Sequence, residues 1–317
     1  VTKPRVLILE WLPEGVLARL AERLPDCQFL EARAADIRDR MLKDAIVTYG
    51  LLPVEKLPEA EELRWIQLIS AGVPQELCPI AKMRGLVVTN LAGLYGASIA
   101  EHAVGMMLVL GRNLHLAMRN QAQGRWERTI ARTMSDLHGK TLAVIGLGNI
   151  GQNIARLARA LGMRVVGCRR SPRPTPYVDR LYGVDDLHAM LGEGDVVAVA
   201  LPLTARTEGL LAAQEFAAMK KGVIYINVSR GGIARDKALL DALHSGQVSA
   251  AGFDVFAVEP LAADHPLWHM PQVLISPHVS GETINQSSLP AERFARNLAS
   301  WLAGAELEGR VHHDLGY

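Results

Sequence analysis

Short apolar runs alternate with helical patterns along the first ninety residues. Val6–Leu9 is compact and apolar, and predicts a buried strand. Pro13–Leu24 follows, with Leu17, Leu20, Ala21 and Leu24 at helical spacing on one face. Further strands are predicted at Ala45–Val47, Trp65–Ile69 and Leu86–Thr89. This order predicts a small α/β layer with a largely parallel sheet. Ser98–Gly124 reads as one long helix, with Ser98 as N-cap, Glu101 completing a capping box and Gly124 as the stop. From Thr141 the pattern becomes regular. Six strand-like runs follow, at Leu142–Ile145, Arg164–Gly167, Val196–Leu201, Val223–Asn227, Val248–Phe253 and Val273–Ile275. Helical stretches at Asn149–Leu161, Ala212–Lys220 and Arg235–Leu243 separate most of them, and Pro290–Ala303 reads as a last helix. Six buried strands with helices between them match a complete dinucleotide-binding sheet.

Composition narrows the classes. The 317 residues suggest about two domains. A hydrophobic fraction of 49% with 21% charged residues reads as soluble and globular. A net charge of +1 gives no reason to invoke nucleic acid or an anionic membrane. The longest run without a polar side chain, Ala103–Gly111, is well short of the ~20 residues of a membrane span. The first residues lack the pattern of a signal peptide, so a cytoplasmic location is expected. Cys27, Cys78 and Cys168 lie far apart and form no CxxC, and HExxH is absent, so no metal site is expected.

Gly146-Leu147-Gly148-Asn149-Ile150-Gly151 matches GxGxxG. Alone it is a weak signal, since a plain glycine turn also reads this way. Here it follows a predicted strand directly and opens a predicted helix, the context the reading requires. Gly146 permits the tight turn, Gly148 the approach of a pyrophosphate, and Gly151 close packing of helix on strand. The N–H groups of Asn149 and Ile150 then face the phosphates at the helix start. At the end of the second strand, an acidic residue would bind the ribose 2′-OH of NAD. The chain has Arg169-Arg170-Ser171 instead, with no carboxylate until Asp179. Two guanidiniums and a hydroxyl suit a 2′-phosphate, so NADP(H) is expected over NAD(H). The alternative is a solvated basic turn.

Three later motifs close successive strands. Arg230 lies in Asn227–Gly232, Glu259 in Ala251–Pro260, and His278 in Ser276–Gly281. Alone, each is more often structural or surface than catalytic. Together their chemistry is complementary. Arginine grips a carboxylate with two bonds and polarises a neighbouring carbonyl. Histidine delivers a proton near neutral pH, and a carboxylate beside it favours the charged ring and fixes it. The set could reduce a 2-keto acid.

The stretches LHGKTLAVIGLGNIGQNIA (137–155), MKKGVIYINVSRGG (219–232), AGFDVFAVEPL (251–261) and HPLWHMPQVLISPHVSG (265–281) carry a resemblance to the D-isomer-specific 2-hydroxyacid dehydrogenase family. It covers nearly the whole chain. The basic corner at 169–170 resembles that of the family's NADPH-dependent glyoxylate/hydroxypyruvate reductases.

The resemblance implies an α/β fold of two Rossmann-like domains, parallel sheets flanked by helices. The cofactor domain, 99–285, would be inserted into a discontinuous, flavodoxin-like substrate domain, 1–98 and 286–317. It implies a catalytic trio of Arg230, Glu259 and His278, with His278 as proton donor. Asp254 would lie near the nicotinamide. Pro202 and Thr207 would belong to a cofactor-facing loop, and Val228 and Gly281 would also border the cofactor. The loop after Trp65–Ile69 would offer backbone N–H groups of Ala71, Gly72 and Val73 to the substrate carboxylate. Members commonly have an aspartate where this chain has Pro74. Proline removes a donor there. Tyr95, Leu51, Leu52 and Trp268 lie in loops that the resemblance turns toward the pocket, though each could equally be packing. The region of Met118 and Trp126 reads as core or interface. Glu101 reads as capping or interdomain and His102 as structural, because neighbours on a helix do not face each other. A homodimer is implied, with the long helix near its interface.

The first expectation is therefore NADPH-dependent reduction of a small 2-keto acid of the glyoxylate or hydroxypyruvate kind. The alternatives are an NAD-linked dehydrogenase of another 2-hydroxy acid, such as the phosphoglycerate type, and a non-catalytic dinucleotide-sensing protein. The phosphoglycerate branch usually has an acidic residue where Arg169 stands and often an extra regulatory domain. A formate-type enzyme carries an amide where Glu259 stands.

Overall fold

The computed structural model describes residues 3–32, 37, 39–171, 173–284 and 288–317, with backbone only at 39 and 40. The chain divides into two compact units, 1–95 with 283–317, and 96–282. Both divisions fall a few residues before the expected boundaries at 98/99 and 285/286, and residues 285 and 286 lie outside the described residues.

The first unit holds five strands: β1 Arg5–Ile8, β2 Gln28–Glu31, β3 Ala45–Tyr49, β4 Trp65–Gln67 and β5 Val87–Thr89. They pair in parallel in the order β2-β1-β3-β4-β5. This is one of the two common doubly wound orders. Its helices are α1 Val16–Arg23, α2 Asp39–Leu42 and α3 Leu77–Arg84. The last helix of the chain, Leu289–Leu302, belongs here as well. Alternation along β1 sorts the two faces. Val6 and Ile8 pack with Val16, Leu20, Phe294 and Leu298, whereas Leu7 joins Leu42, Leu77 and Ala81. The tail returns along β5, where Val311 N–H donates to the Val88 carbonyl and the Asn90 N–H donates to that of Gly309.

The second unit begins with α4 Gly96–Gly111 and α5 Leu114–Ala122. Its strands are β6 Thr141–Ile145, β7 Arg164–Cys168, β8 Arg180–Tyr182, β9 Val196–Val199, β10 Val223–Asn227, β11 Val248–Phe253 and β12 Val273–Ile275. Between them lie α6 Asn149–Ala160, α7 Leu187–Leu191, α8 Ala213–Ala218 and α9 Asp236–His244, so Leu289–Leu302 is α10. The sheet is parallel, in the order β12-β11-β10-β9-β6-β7-β8. Strands β6, β9 and β10 are buried at every position, which explains their unbroken apolar runs. Among the described residues no helix is long and apolar enough to cross a membrane.

Four expectations change. The single helix from Ser98 is two helices beginning at Gly96, and Ser98 sits buried inside the first rather than capping it. The break is at Asn113, in the left-handed region at φ 50°. Its amide donates to the Ile130 carbonyl and to Thr133 Oγ1, both at 2.8 Å, and those bonds replace helix continuation. The sheets also have one strand more than expected in each unit, β2 and β8. Met118 and Trp126 are not core, being 66% and 94% exposed. Leu52 is fully buried and therefore packs rather than lining a pocket.

Candidate active site

Strand order places the glycine loop. The sheet reverses direction of build between β6 and β9, and the crevice at such a switch point receives dinucleotides. Gly146 follows β6 with φ 98°, and a Cβ there would stand 2.7 Å from the Ala200 carbonyl oxygen, just after β9. A Cβ on Gly151 would stand 2.0 Å from the Gly146 oxygen. Gly148 differs, because a Cβ there would meet nothing within 4 Å. The first and third glycines are thus demanded by the protein's own packing. The second opens space at the N-terminus of α6, where helical N–H groups have no carbonyl to bond. This fits a pyrophosphate.

Arg169 is half-buried after β7, with Nη1 3.4 Å from Thr175 Oγ1, and Arg170 and Ser171 are exposed. Asp179 is turned away from them. It accepts the Val165 N–H at 2.7 Å and Arg159 Nη1 at 2.9 Å, at the opposite end of β7. Pro202 and Thr207 share a turn after β9, in which Thr207 Oγ1 donates to the Pro202 carbonyl at 2.7 Å. Val228, directly after β10, is buried.

Because β10, β11 and β12 are parallel neighbours, the residues after them share one edge. Asn227 shapes the first turn. Its Oδ1 accepts the Ser229 N–H and hydroxyl, and its Nδ2 donates to the Arg230 carbonyl. Arg230 Nη1 donates to the Ser229 carbonyl at 2.6 Å. Burial pushes the Arg230 guanidinium down from its usual value, and the nearby Glu259 pulls it up. A Cβ on Gly231 would stand 1.9 Å from Phe256 backbone, so glycine lets the turns after β10 and β11 meet.

Glu259 is fixed at both oxygens. Oε1 accepts the Phe256 N–H at 2.8 Å, and Oε2 lies 2.6 Å from His278 Nδ1. A carboxylate only accepts, so Nδ1 carries a hydrogen and Nε2 is the outward nitrogen of a ring that is 46% exposed. His278 has φ 56°, a strained conformation for this side chain, costing on the order of 1–3 kcal/mol. Asp254 holds that turn. Fully buried, it accepts the N–H groups of Val279 and Ser280 at 3.0 Å and the Ser276 hydroxyl at 2.5 Å. Burial raises its pKa, but the hydrogen bonds from Ser276, Ser280 and Val279 outweigh it, and the carboxyl lies below its usual range. Gly281 ends the turn, half-buried. Trp268 is 45% exposed and donates its indole N–H to the Ala262 carbonyl.

In the first unit, the loop after β4 has its carbonyls tied back. Leu91 N–H donates to Ser70, Asn90 Nδ2 to Ala71, and Ser70 Oγ to Gly72. The N–H groups of Gly72 and Val73 have no acceptor among the described residues. A loop with bonded carbonyls and open N–H groups suits a carboxylate.

Sequence reasoning missed three residues that shape these turns: Asn90, Asn227 and Ser276. Each is a small polar side chain at or just past a strand end, which is the signal that could have found them.

The chain is similar in sequence and fold to known proteins. A model for the D-isomer specific 2-hydroxyacid dehydrogenase, NAD binding domain, matches residues 104–280. A glyoxylate reductase of Korarchaeum cryptofilum is 30% identical, over 95% of this chain and 94% of its own. A D-3-phosphoglycerate dehydrogenase of Archaeoglobus fulgidus is 36% identical over 78% of this chain and 47% of its own. The chain spans about half the length of such curated phosphoglycerate relatives. Among solved structures, an NADPH-dependent glyoxylate/hydroxypyruvate reductase from Sinorhizobium meliloti, in complex with NADP and malonate, is 30% identical. It superposes with a TM-score of 0.83, covering 98% of this chain and 97% of that one. The chain belongs to the D-isomer specific 2-hydroxyacid dehydrogenase family.

Proposed function

We propose that the protein reduces a small 2-keto acid of the glyoxylate or hydroxypyruvate kind to the D-2-hydroxy acid, using NADPH. The observation that carries this reading is the 2.6 Å pair of His278 and Glu259, which follow β12 and β11, with Arg230 after β10 on the same sheet edge. When bound, the reduced dinucleotide supplies a hydride to the carbonyl carbon. The chain's own residues do the rest. His278 Nε2–H gives the proton to the carbonyl oxygen, and Glu259 holds the ring and balances its charge. Arg230 grips the carboxylate and polarises the carbonyl. Ala71, Gly72 and Val73 are offered as donors of backbone N–H groups to a carboxylate, the Ala71 carbonyl being tied to Asn90. Gly146, Gly148, Asn149, Ile150 and Gly151 hold the pyrophosphate, and Pro202, Thr207, Val228, Asp254 and Gly281 border the rest of the cofactor.

Arg169, Arg170 and Ser171 take the 2′-phosphate in this reading. Supporting it, the nearest carboxylate in sequence, Asp179, is committed to Val165 and Arg159. The double variant Arg169→Ala/Arg170→Ala is expected to raise KM for NADPH by about 100-fold, two charge-assisted contacts being lost. KM for NADH is expected to move less than threefold. Equal losses for both cofactors, or an NADH preference in the parent, contradict the assignment.

A second reading rests on the relatives. D-3-phosphoglycerate dehydrogenases reach 36% identity, so oxidation of a phosphorylated 2-hydroxy acid is the rival. We also propose a homodimer. Leu114, Met118 and Trp126 are 46%, 66% and 94% exposed, more large apolar surface than one segment normally leaves in water. Light scattering is expected to give twice the chain mass, and a monomer mass contradicts it.

A further inference from the structure

The turn that carries His278 is linked to a helix far away in sequence. Ser276 Oγ donates to Asp254 Oδ1 at 2.5 Å, and His102 Nε2, from α4, lies 2.8 Å from the same hydroxyl oxygen. A serine hydroxyl has one hydrogen, and a carboxylate can only accept. With that hydrogen committed to Asp254, the bond between His102 and Ser276 must be donated by imidazole Nε2–H. The direction is therefore fixed: His102 to Ser276 to Asp254, and Asp254 in turn receives the Val279 and Ser280 N–H groups. Asp254 is fully buried, and among the described residues His102, at 3.9 Å, is its nearest basic side chain.

Such a carboxylate needs every donor it has. It is also what holds His278 at φ 56°. Weakening one donor lets the carboxylate move and frees the backbone to leave the strained conformation.

We propose that His102 and Ser276 are positioning residues for the His278 turn, acting through Asp254. This rests on the reading of His278 as proton donor. His102 thus has a specific task, beyond packing in α4.

The test uses the full chain with His102→Ala, His102→Gln, Ser276→Ala and the His102→Ala/Ser276→Ala double variant. Two readouts are taken: amide hydrogen exchange by NMR at Val279 and Ser280, and steady-state reduction of glyoxylate with NADPH. Either alanine variant is expected to speed exchange at those two amides about tenfold and to lower kcat about tenfold. KM for glyoxylate is expected to stay within twofold, and exchange at Ile145 and Val199 to stay unchanged. His102→Gln restores both readouts, since its amide N–H donates where the imidazole did. The double variant loses no more than Ser276→Ala, because a chain in series breaks once. Unchanged exchange at Val279 and Ser280 in His102→Ala overturns the proposal. So does faster exchange with unchanged kcat, failure of glutamine to rescue, or multiplied losses in the double variant. If the parent turns over no 2-keto acid, the proton-donor reading is what fails. The exchange arm then still decides whether His102 holds the turn.

Discussion

His278→Ala is expected to lower kcat for 2-keto-acid reduction by about 10²–10⁴-fold, the usual contribution of a positioned general acid. The dissociation constant for NADPH, read by nicotinamide fluorescence, is expected to stay within about threefold. The separation follows from the layout. His278 follows β12, whereas the glycine loop follows β6, with three strands between them in the sheet order. The ring is 46% exposed, so its removal leaves no core cavity. His278→Asn is the sharper control. Asparagine tolerates the left-handed backbone better than most residues, so it keeps the φ 56° turn while supplying no comparable acid. Both variants are therefore equally slow in this account. Full activity in either one removes the proton-donor role.

Arg230→Lys is expected to lower kcat/KM for the keto acid by about 10²–10³-fold, although the charge is kept. Lysine cannot reproduce the planar fork that takes a carboxylate with two parallel bonds while reaching a neighbouring carbonyl oxygen. The guanidinium here is also held by its Nη1 bond to the Ser229 carbonyl, and Asn227 holds that turn. An ammonium on a flexible stem inherits none of this orientation. A lower kcat and a higher KM are both expected, since in the proposed reading the same group binds the carboxylate and polarises the carbonyl. A lysine variant within threefold of the parent contradicts a bidentate role.

Much of this was legible in the residues. Glycine spacing between a strand and a helix foretold the loop at Gly146. Apolar runs foretold six of the seven strands of the second unit, most plainly β6, β9 and β10, because strands buried on both faces show no alternation to misread. Strands β2 and β8 were not legible. Both are short edge strands, partly exposed and polar, that exist through pairing with β1 and β7. The break at Asn113 was hidden for a similar reason. It depends on hydrogen bonds to Ile130 and Thr133, which no helical periodicity reports. His102 shows the limit most clearly. Beside Glu101 on a helix it invites a local reading, yet its partner is Ser276, 174 positions away. The side chains proposed for the chemistry announce themselves by type and by the strand they follow. Those that hold them in place are known only once the sheet brings them together.

The most direct test of the central claim is loss of nicotinamide absorbance with NADPH and NADH, across glyoxylate, hydroxypyruvate, pyruvate, phenylpyruvate and 3-phosphohydroxypyruvate. Turnover of glyoxylate or hydroxypyruvate with NADPH is expected at a kcat/KM at least tenfold above that with NADH. Oxidation of neither cofactor by any of these acids, or turnover confined to the phosphorylated acid with NADH, contradicts it.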